Sequence, residues 1–216
     1  MNLCRRTALL HTLVSWLTVP ITTMSVDRPA DTSILALHNT GPTSEYHKPP
    51  PGVDYSRNPS VFGKILRGEE PAVILEESAH LLTFQDRSPR AKLHGLIIPK
   101  AYLPDVTVLT ADDIALLEEM QGTAKALVQK YQPEAYSQQD YILCFHVPPF
   151  NSVDHLHLHV LAPASKMAWW YRDVKYQVGT RWCTSFQHVL TSLRRGRKSV
   201  RWSFSGGYVG SDGIVR

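Results

Sequence analysis

The chain is poor in cysteine: Cys4, Cys144 and Cys183 are far apart and odd in number among 216 residues. They contain no Cys-x-x-Cys pair of the kind that binds zinc, and three scattered thiols do not build a disulfide framework. This scarcity excludes a small disulfide-rich secreted domain and makes a reducing compartment the simpler inference.

A strong charge of either sign is also lacking. The formal net charge is +4, from 23 Lys and Arg against 19 Asp and Glu, and charged residues make up 19% of the chain. A charge this small does not require a nucleic-acid partner. Hydrophobic residues supply 43%, and the length suits one compact domain with extensions.

Long uninterrupted apolar runs are absent too. Residues 1–24 carry Arg5, Arg6 and an apolar stretch, with no acidic residue before Asp27. This pattern is typical of a secretory signal or a mitochondrial presequence, and an ordinary, poorly ordered N-terminus is the alternative. A histidine, several threonines and Pro20 interrupt the stretch, so no stable membrane insertion is predicted.

Composition divides the chain into four parts. Residues 1–58 form an extension, a possible targeting segment followed by a proline-rich linker that cannot bury enough apolar surface to order itself. Residues 59–165 carry the periodic apolar segments of a folded domain. Residues 166–193 form an aromatic extension expected to pack on that domain. Residues 194–216 form a basic, Gly/Ser-rich tail expected to be disordered.

The most informative stretch is 151–161, in which three histidines alternate with apolar residues. On a β-strand successive side chains point to opposite faces, so His155, His157 and His159 share one face and apolar residues the other. The apolar face can be buried in a core, while the other face carries three groups that titrate near neutral pH. A helix would scatter the three rings, so the pattern predicts a strand.

Three interpretations of the histidine face differ in their chemistry. A transition-metal site is one, but a closed tetrahedral site usually draws its ligands from several elements rather than from a row along one strand. Core histidines without a function are another, although these normally occur singly. Acid–base or nucleophilic catalysis fits best, with one imidazole attacking while its neighbours set tautomer, orientation and proton supply.

Together with other segments, this stretch resembles the histidine-triad (HIT) family of nucleotide hydrolases and transferases. The likeness covers roughly residues 59–165, and Phe145–Ser152 is most like the Hint3 branch of adenosine 5′-monophosphoramidases. The segments that match in order and spacing are Ser60–Ile65, Phe84–Pro89, His94–Lys100 and the triad itself.

The resemblance implies a role for each matching residue. His157 would be the nucleophile and His159 a donor to a phosphate oxygen. His155 would orient its neighbours, Ser152 would contact the phosphate or the leaving group, and His94 would support the triad. The Asp86 carboxylate would accept hydrogen bonds from the ribose hydroxyls. The nucleotide-binding residues would be Phe62, Ile65, Phe84, Asp86, His146 and Asn151. Neither a metal nor a cofactor is implied.

Two residues depart from the pattern of the family. Arg87 occupies a position that is typically apolar in close relatives, and could stack on a purine, bind a phosphate or face solvent. His146 stands near a position where the commoner Hint branch carries asparagine, and could donate to phosphate or make a structural hydrogen bond. The base preference is therefore left open.

An α+β fold is expected, with an antiparallel sheet of about five strands, one long helix and a short N-terminal helix. The long helix is predicted over residues 110–131, beginning at a capping-box-like sequence. A short amphipathic helix is predicted over residues 186–193. Strands are predicted at 72–76, 81–84, 93–100, 141–145 and in the triad stretch.

The expected activity is a nucleotide hydrolase that cleaves a P–N bond through a nucleotidyl-histidine and releases AMP. An aprataxin-like deadenylase of nucleic-acid ends is one alternative, although Cys183 and His188 alone cannot build the zinc finger that this branch normally carries. A nucleotide-binding scaffold with vestigial activity is the other.

Partners and location are also expectations from the resemblance. The substrate would be a purine nucleoside phosphoramidate or nucleotide, and a homodimer is implied. Nucleic acid is a possible but not a favoured partner. An intracellular location, cytoplasmic or nuclear, is expected, with mitochondrial import possible from the N-terminal segment.

Overall fold

The computed structural model of the chain describes residues 58–200. The predicted targeting segment and linker, apart from residue 58, and the Gly/Ser-rich end of the tail lie outside these residues. Within residues 58–200, no helix has the length and apolar character needed to cross a membrane.

The secondary structure follows the apolar periodicities of the sequence. The helices are α1 (Val61–Leu66), α2 (Ile114–Tyr131), α3 (Pro133–Ser137) and α4 (Phe186–Arg194). The strands are β1 (Ile74–Glu77), β2 (Leu81–Gln85), β3 (Leu93–Pro99), β4 (Ile142–His146), β5 (Leu158–Ala162) and β6 (Cys183–Ser185). The predicted α+β fold is confirmed.

The strands form one antiparallel sheet in the order β1-β2-β3-β5-β4-β6. About five strands were expected, and the described residues contain six. The additional strand, β6, follows the triad in the chain and pairs with β4, so that Cys183 lies opposite His146. A strand of three residues is too short to show a periodicity in the sequence.

Helix α2 packs on the sheet and provides much of the core. The predicted capping box is present, since the backbone N–H of Thr110 donates to the Asp113 carboxylate at 2.8 Å. The α-helix itself begins at Ile114, after a single 3₁₀ turn. Gly95 on β3 permits the close approach, because a Cβ there would lie 2.8 Å from Leu127 Cδ2.

The triad strand begins later than predicted, and His159 is the triad histidine that lies in it. The predicted strand is wrong at its start for a specific reason. The ring of His155 donates to the carbonyl of Pro99 at 2.8 Å, at the point where β3 ends. The backbone N–H of Leu156 donates instead to the Leu103 carbonyl at 2.7 Å.

The segment after β6 returns to the core. Helix α4, predicted as a short amphipathic helix, buries its apolar side in the same cluster as α2. Ser199 Oγ donates to the Val106 carbonyl at 2.6 Å, and Val200 is buried. Composition predicts a disordered tail from residue 194, but Ser199 and Val200 pack against the domain, whereas residues 194–198 are exposed.

Candidate active site

Five histidines lie together near the ends of β4 and β5, and each is at most 9% exposed. Helix α1 borders them on one side through Phe62, and the segment before β6 borders them on another through Tyr176. The five are the triad residues His155, His157 and His159, together with His94 and His146. The structure therefore brings together imidazoles from β3, β4 and the triad stretch.

His157 has the arrangement of a nucleophile. Its Nδ1–H donates to the carbonyl of His155 at 2.7 Å, which places the ring proton on Nδ1 and leaves the Nε2 lone pair available. The ring of Phe62 meets it edge to face, with centroids 5.3 Å apart. Burial lowers the pKa of His157, against the opposing effect of the backbone hydrogen bond, so the ring is neutral near pH 7.

His155 is held from both ring nitrogens. Nε2 donates to the Pro99 carbonyl, so Nδ1 accepts from the Asn58 side-chain amide at 2.8 Å. Burial lowers the pKa of His155 to about 3. Both ring nitrogens of His155 are thus hydrogen-bonded within the protein. The backbone carbonyl of His155 is the group that orients His157. Asn58 was missed because the predicted domain boundary fell just after it. The one feature of the sequence that pointed to Asn58 was the predicted start of a helix at Ser60, two residues later.

His94, His159 and His146 form a hydrogen-bonded chain, which we call the imidazole chain. The backbone N–H of Arg90 donates to His94 Nδ1 at 3.2 Å, so His94 donates from Nε2 to His159 Nδ1 at 3.0 Å. His159 then donates from Nε2 to His146 Nδ1 at 3.0 Å, and His146 donates from Nε2 to the Lys175 carbonyl at 3.4 Å. Each imidazole acceptor nitrogen is occupied, so adding a proton to any ring would break a hydrogen bond.

The surroundings of the imidazole chain favour neutral rings. Burial lowers the pKa of His94 to about 4, although the nearby Asp86 carboxylate acts in the opposite direction. Burial also lowers the pKa of His146 to about 4 and holds the pKa of His159 well below its ordinary value. The positive charge of Lys175 adds to the lowering in all three. These groups are therefore uncharged at pH 7.

Tyr176 packs against the imidazole chain, and no motif in the sequence predicts a role for it. Its ring centroid lies 5.6 Å from that of His94 and 5.3 Å from those of His146 and His159. The residue lies beyond the segment that carries the family resemblance. Its one signal was the aromatic content of residues 166–193.

The predicted base-binding residues form an apolar wall next to the triad. Phe62 and Phe84 pack edge to face, with centroids 5.3 Å apart, and Ile65 packs against the same cluster. Phe62 reaches both His155 and His157. This wall lies beside His157 and offers an apolar surface to a ligand bound there.

Asp86 lies directly after β2, beside the imidazole chain. One carboxylate oxygen accepts from the backbone N–H of Ser88 at 2.7 Å, and the other lies 3.5 Å from His94 Nε2. The side chain is 19% exposed, so it remains accessible to a ligand. The neighbouring Arg87 is exposed.

The loop before the triad carries Asn151 and Ser152. Asn151 and His157 border the same shallow recess. The Asn151 amide donates within the loop, to the Asp154 carboxylate at 2.9 Å and to the Val153 carbonyl at 3.3 Å. Ser152 is exposed on the loop. The structure thus brings Asn151 and His157 to one recess, but the Asn151 amide is hydrogen-bonded within the loop.

Two sets of side chains in this site have the spacing of metal ligands. One consists of His146, His157 and His159, the other of Asp86, His94 and His159, and in each set the ligand atoms lie within 4.8 Å of one another. In the first set, His146 and His159 already share a hydrogen bond. A metal ion bound there would have to break it.

Comparisons with known proteins show which family the chain belongs to. The model of the family described as "Scavenger mRNA decapping enzyme C-term binding" matches residues 59–174, more than half of the chain. Over 137 residues the chain is 32% identical to adenosine 5′-monophosphoramidase HINT3 of Mus musculus, covering 62% of this chain and 81% of the relative. Over 119 residues it is 35% identical to the bifunctional adenosine 5′-phosphosulfate phosphorylase/adenylylsulfatase HINT4 of Arabidopsis thaliana, covering 54% and 77%.

A solved structure of a HIT family hydrolase from Legionella pneumophila is also similar. It is 38% identical, with a TM-score of 0.43, and the match covers 47% of this chain and 90% of that one. On the evidence of the family model and the curated relatives, the chain belongs to the histidine-triad family. The predicted likeness to the Hint3 branch is confirmed by the relatives from mouse and from Xenopus tropicalis.

Proposed function

We propose that the protein hydrolyses an adenosine 5′-phosphoramidate and releases AMP. The observation that carries the proposal is the hydrogen bond from His157 Nδ1 to the His155 carbonyl, which leaves Nε2 free to attack. The names of the relatives support the substrate class, since one is an adenosine 5′-monophosphoramidase and another an adenylylsulfatase. Both names describe derivatives of adenosine 5′-phosphate.

The reaction proceeds in two displacements at the α-phosphorus. In the first, a bond forms between His157 Nε2 and phosphorus while the P–N bond to the amine breaks, and the amine leaves with the electron pair and takes up a proton from solvent. In the second, water attacks phosphorus, the bond to Nε2 breaks, and AMP and a proton are released. The His155 carbonyl accepts from Nδ1–H throughout, which stabilises the positive ring of the nucleotidyl-histidine.

The other site residues bind and polarise the substrate. The Nε2–H of His159, which donates to His146 in the structure, transfers its hydrogen bond to a phosphate oxygen and stabilises the developing charge. The Asp86 carboxylate accepts from the ribose hydroxyls. The apolar wall takes the base, and the loop residues Asn151 and Ser152 contact the phosphate or the leaving group.

The test is hydrolysis of adenosine 5′-phosphoramidate by the whole chain in the presence of EDTA. We expect the wild type to turn over and His157→Ala to lose ~10³-fold or more in kcat, because the nucleophile is removed. His80→Ala, which removes a histidine outside the site, serves as the matched control and should retain full activity.

Two results would contradict the proposal. A wild type that binds AMP but cleaves no phosphoramidate would favour the scaffold interpretation. Activity that EDTA abolishes and zinc restores would replace the metal-free route, with the two metal-spaced sets of side chains as the sites to mutate next.

We also propose that the protein forms a homodimer, as the family resemblance implies. Trp169, Trp170, Val174 and Val178 are between 44% and 66% exposed, and exposed apolar groups concentrated in one segment are typical of protein–protein contacts. Light scattering should give twice the chain mass for the wild type and the chain mass for Trp169→Glu. Val73→Glu, a change at an exposed valine near the sheet edge, should leave the dimer intact. A monomeric wild type would contradict this proposal.

An intracellular site of action is the third part of the proposal, and it rests on the family resemblance alone. Imaging of the fluorescently tagged whole chain, beside a variant without residues 1–24, tests it. A cytoplasmic or nuclear signal in both would support it, and mitochondrial signal lost on deletion would identify an import segment. Secretion into the medium would contradict it.

A further inference from the structure

Tyr176 contacts three histidines of the active site at once, and the proposed reaction gives it no role. Its ring stands nearly perpendicular to that of His94, at 84°, and meets those of His159 and His146 at 66° and 40°. The side chain is 2% exposed. The ring of Tyr176 is therefore a buried neighbour of every histidine in the imidazole chain.

The segment that carries Tyr176 is fastened to the end of β4. The backbone N–H of Val147 donates to the Trp182 carbonyl at 2.9 Å, and Trp182 Nε1 donates to the Val174 carbonyl at 2.8 Å. Strand β6 pairs with β4 beside them. Among residues 58–200, no hydrogen bond of the Tyr176 hydroxyl is found, and the contacts with the three histidines are made by the ring.

The charged and titratable groups around Tyr176 come from several elements. Burial raises the pKa of the Tyr176 phenol, the Asp86 carboxylate and the thiols Cys144 and Cys183 act in the same direction, and Arg90 opposes them. The Lys175 ammonium group lies 5.4 Å from the ring centroid. The phenol therefore stays neutral, and the imidazoles beneath it are the groups whose charge changes with pH.

We propose that Tyr176 is a positioning residue, whose ring excludes water from the His94–His159–His146 chain and keeps its hydrogen bonds in one direction. A protonated imidazole carries N–H on both nitrogens, so a proton taken up within the chain would set two donors against each other. It would also place a positive charge next to His157. The kinetic consequence of this inference rests on the proposed function, whereas its structural part does not.

The structural part is tested by NMR titration of the histidine rings in the whole chain. Tyr176→Phe keeps the ring and should leave every midpoint unchanged. Tyr176→Leu and Tyr176→Met expose the imidazole chain, and should raise the pKa values of His94 and His146 from about 4 by ~1 unit or more. Two apolar variants are used so that a folding defect in one still leaves a result from the other.

Tyr136→Ala is the matched control, because it removes a half-buried tyrosine that stacks on Tyr141 outside the site. It should leave the midpoints of His94 and His146 where they are. Unchanged midpoints in the folded leucine or methionine variant would overturn the proposal. A phenylalanine variant that titrates like the leucine variant would overturn it too, since the hydroxyl would then be the active group.

The kinetic part is tested by the pH dependence of phosphoramidate hydrolysis. In Tyr176→Leu the acid limb of kcat should move to higher pH by the same ~1 unit, while KM stays within ~3-fold of the wild type. An unmoved limb despite shifted midpoints would contradict this part. An inert wild type would refute the proposed function, and the NMR midpoints alone would then decide the role of Tyr176.

Discussion

Asn58 is linked to His157 through two hydrogen bonds. Its amide donates to His155 Nδ1, which directs the Nε2–H of that ring to the Pro99 carbonyl. With the ring fixed, the backbone carbonyl of His155 is in place to accept from His157 Nδ1. A side chain before the first helix thus helps to set the tautomer of a histidine it does not touch.

Removing this amide tests that chain of contacts. Asn58→Ala should lower the free energy of unfolding by ~1–3 kcal/mol, because a buried imidazole acceptor loses its donor. Gln187→Ala, which removes an exposed side-chain hydrogen bond to Thr191, should change it by less than ~0.5 kcal/mol. Urea denaturation at pH 7 measures both, and equal effects of the two substitutions would contradict the role given to Asn58.

At this scale the sequence predicts the reactive groups but not their partners. The alternation of three histidines is visible over five residues, whereas the partner of His159 in β3 lies 65 residues away and that of His155 lies 97 residues away. The direction of the imidazole chain depends on the Arg90 N–H and the Lys175 carbonyl. Almost every residue has these backbone groups, so the sequence does not show which of them will bind a histidine.

Helix α1 packs so closely on Asn58 that its central glycine has no room for a side chain. A Cβ on Gly63 would overlap the Asn58 carbonyl oxygen, and a Cβ on Gly122 in α2 would meet open space. Both glycines lie in helices, without a left-handed backbone. They therefore form a matched pair that separates packing from helix propensity.

We expect opposite signs from alanine at these two positions. Gly63→Ala should lower the free energy of unfolding by ~1–3 kcal/mol, since α1 must shift to relieve the overlap. Gly122→Ala should raise it by ~0.5–1 kcal/mol, because alanine loses less backbone entropy in a helix than glycine does. Urea denaturation of the two variants checks this. Stabilisation by Gly63→Ala would show that α1 moves freely.

Elements with a clear apolar period were predictable, and those fixed by partners were not. The eighteen residues of α2 carry a strong helical pattern, and β3 is an apolar run of strand length. The three residues of β6 become a strand because β4 offers them an edge to pair with. The start of β5 is set in the same way by the His155 ring on the Pro99 carbonyl.

Five buried neutral histidines make the whole molecule sensitive to acid. Burial lowers the pKa of all five below the ordinary value of 6.5, to about 4 for His94 and His146 and to about 3 for His155. Below pH 6.5 the unfolded chain takes up protons that the folded protein does not. Stability must therefore fall as the pH falls from 6.5 toward 4.

The number of neutral buried histidines determines how steeply the free energy of unfolding falls with pH. The free energy of unfolding should be nearly constant between pH 7 and pH 8 and fall by ~1.4 kcal/mol per pH unit for each neutral buried histidine once the pH is well below 6.5. His94→Gln should reduce this slope by ~1.4 kcal/mol per pH unit, the contribution of one proton. Urea denaturation at a series of pH values measures it, and a stability that is flat between pH 7 and pH 4.5 would contradict the neutral cluster.

The most direct test of the catalytic proposal is to identify the residue that carries AMP. The whole chain is mixed with adenosine 5′-phosphoramidate, quenched in alkali within the first turnover and mapped by peptide mass spectrometry. We predict AMP on His157 in the wild type and no adduct in His157→Ala. AMP on His146 or His159, or undiminished turnover by His157→Ala, would contradict the assignment of His157 as the nucleophile.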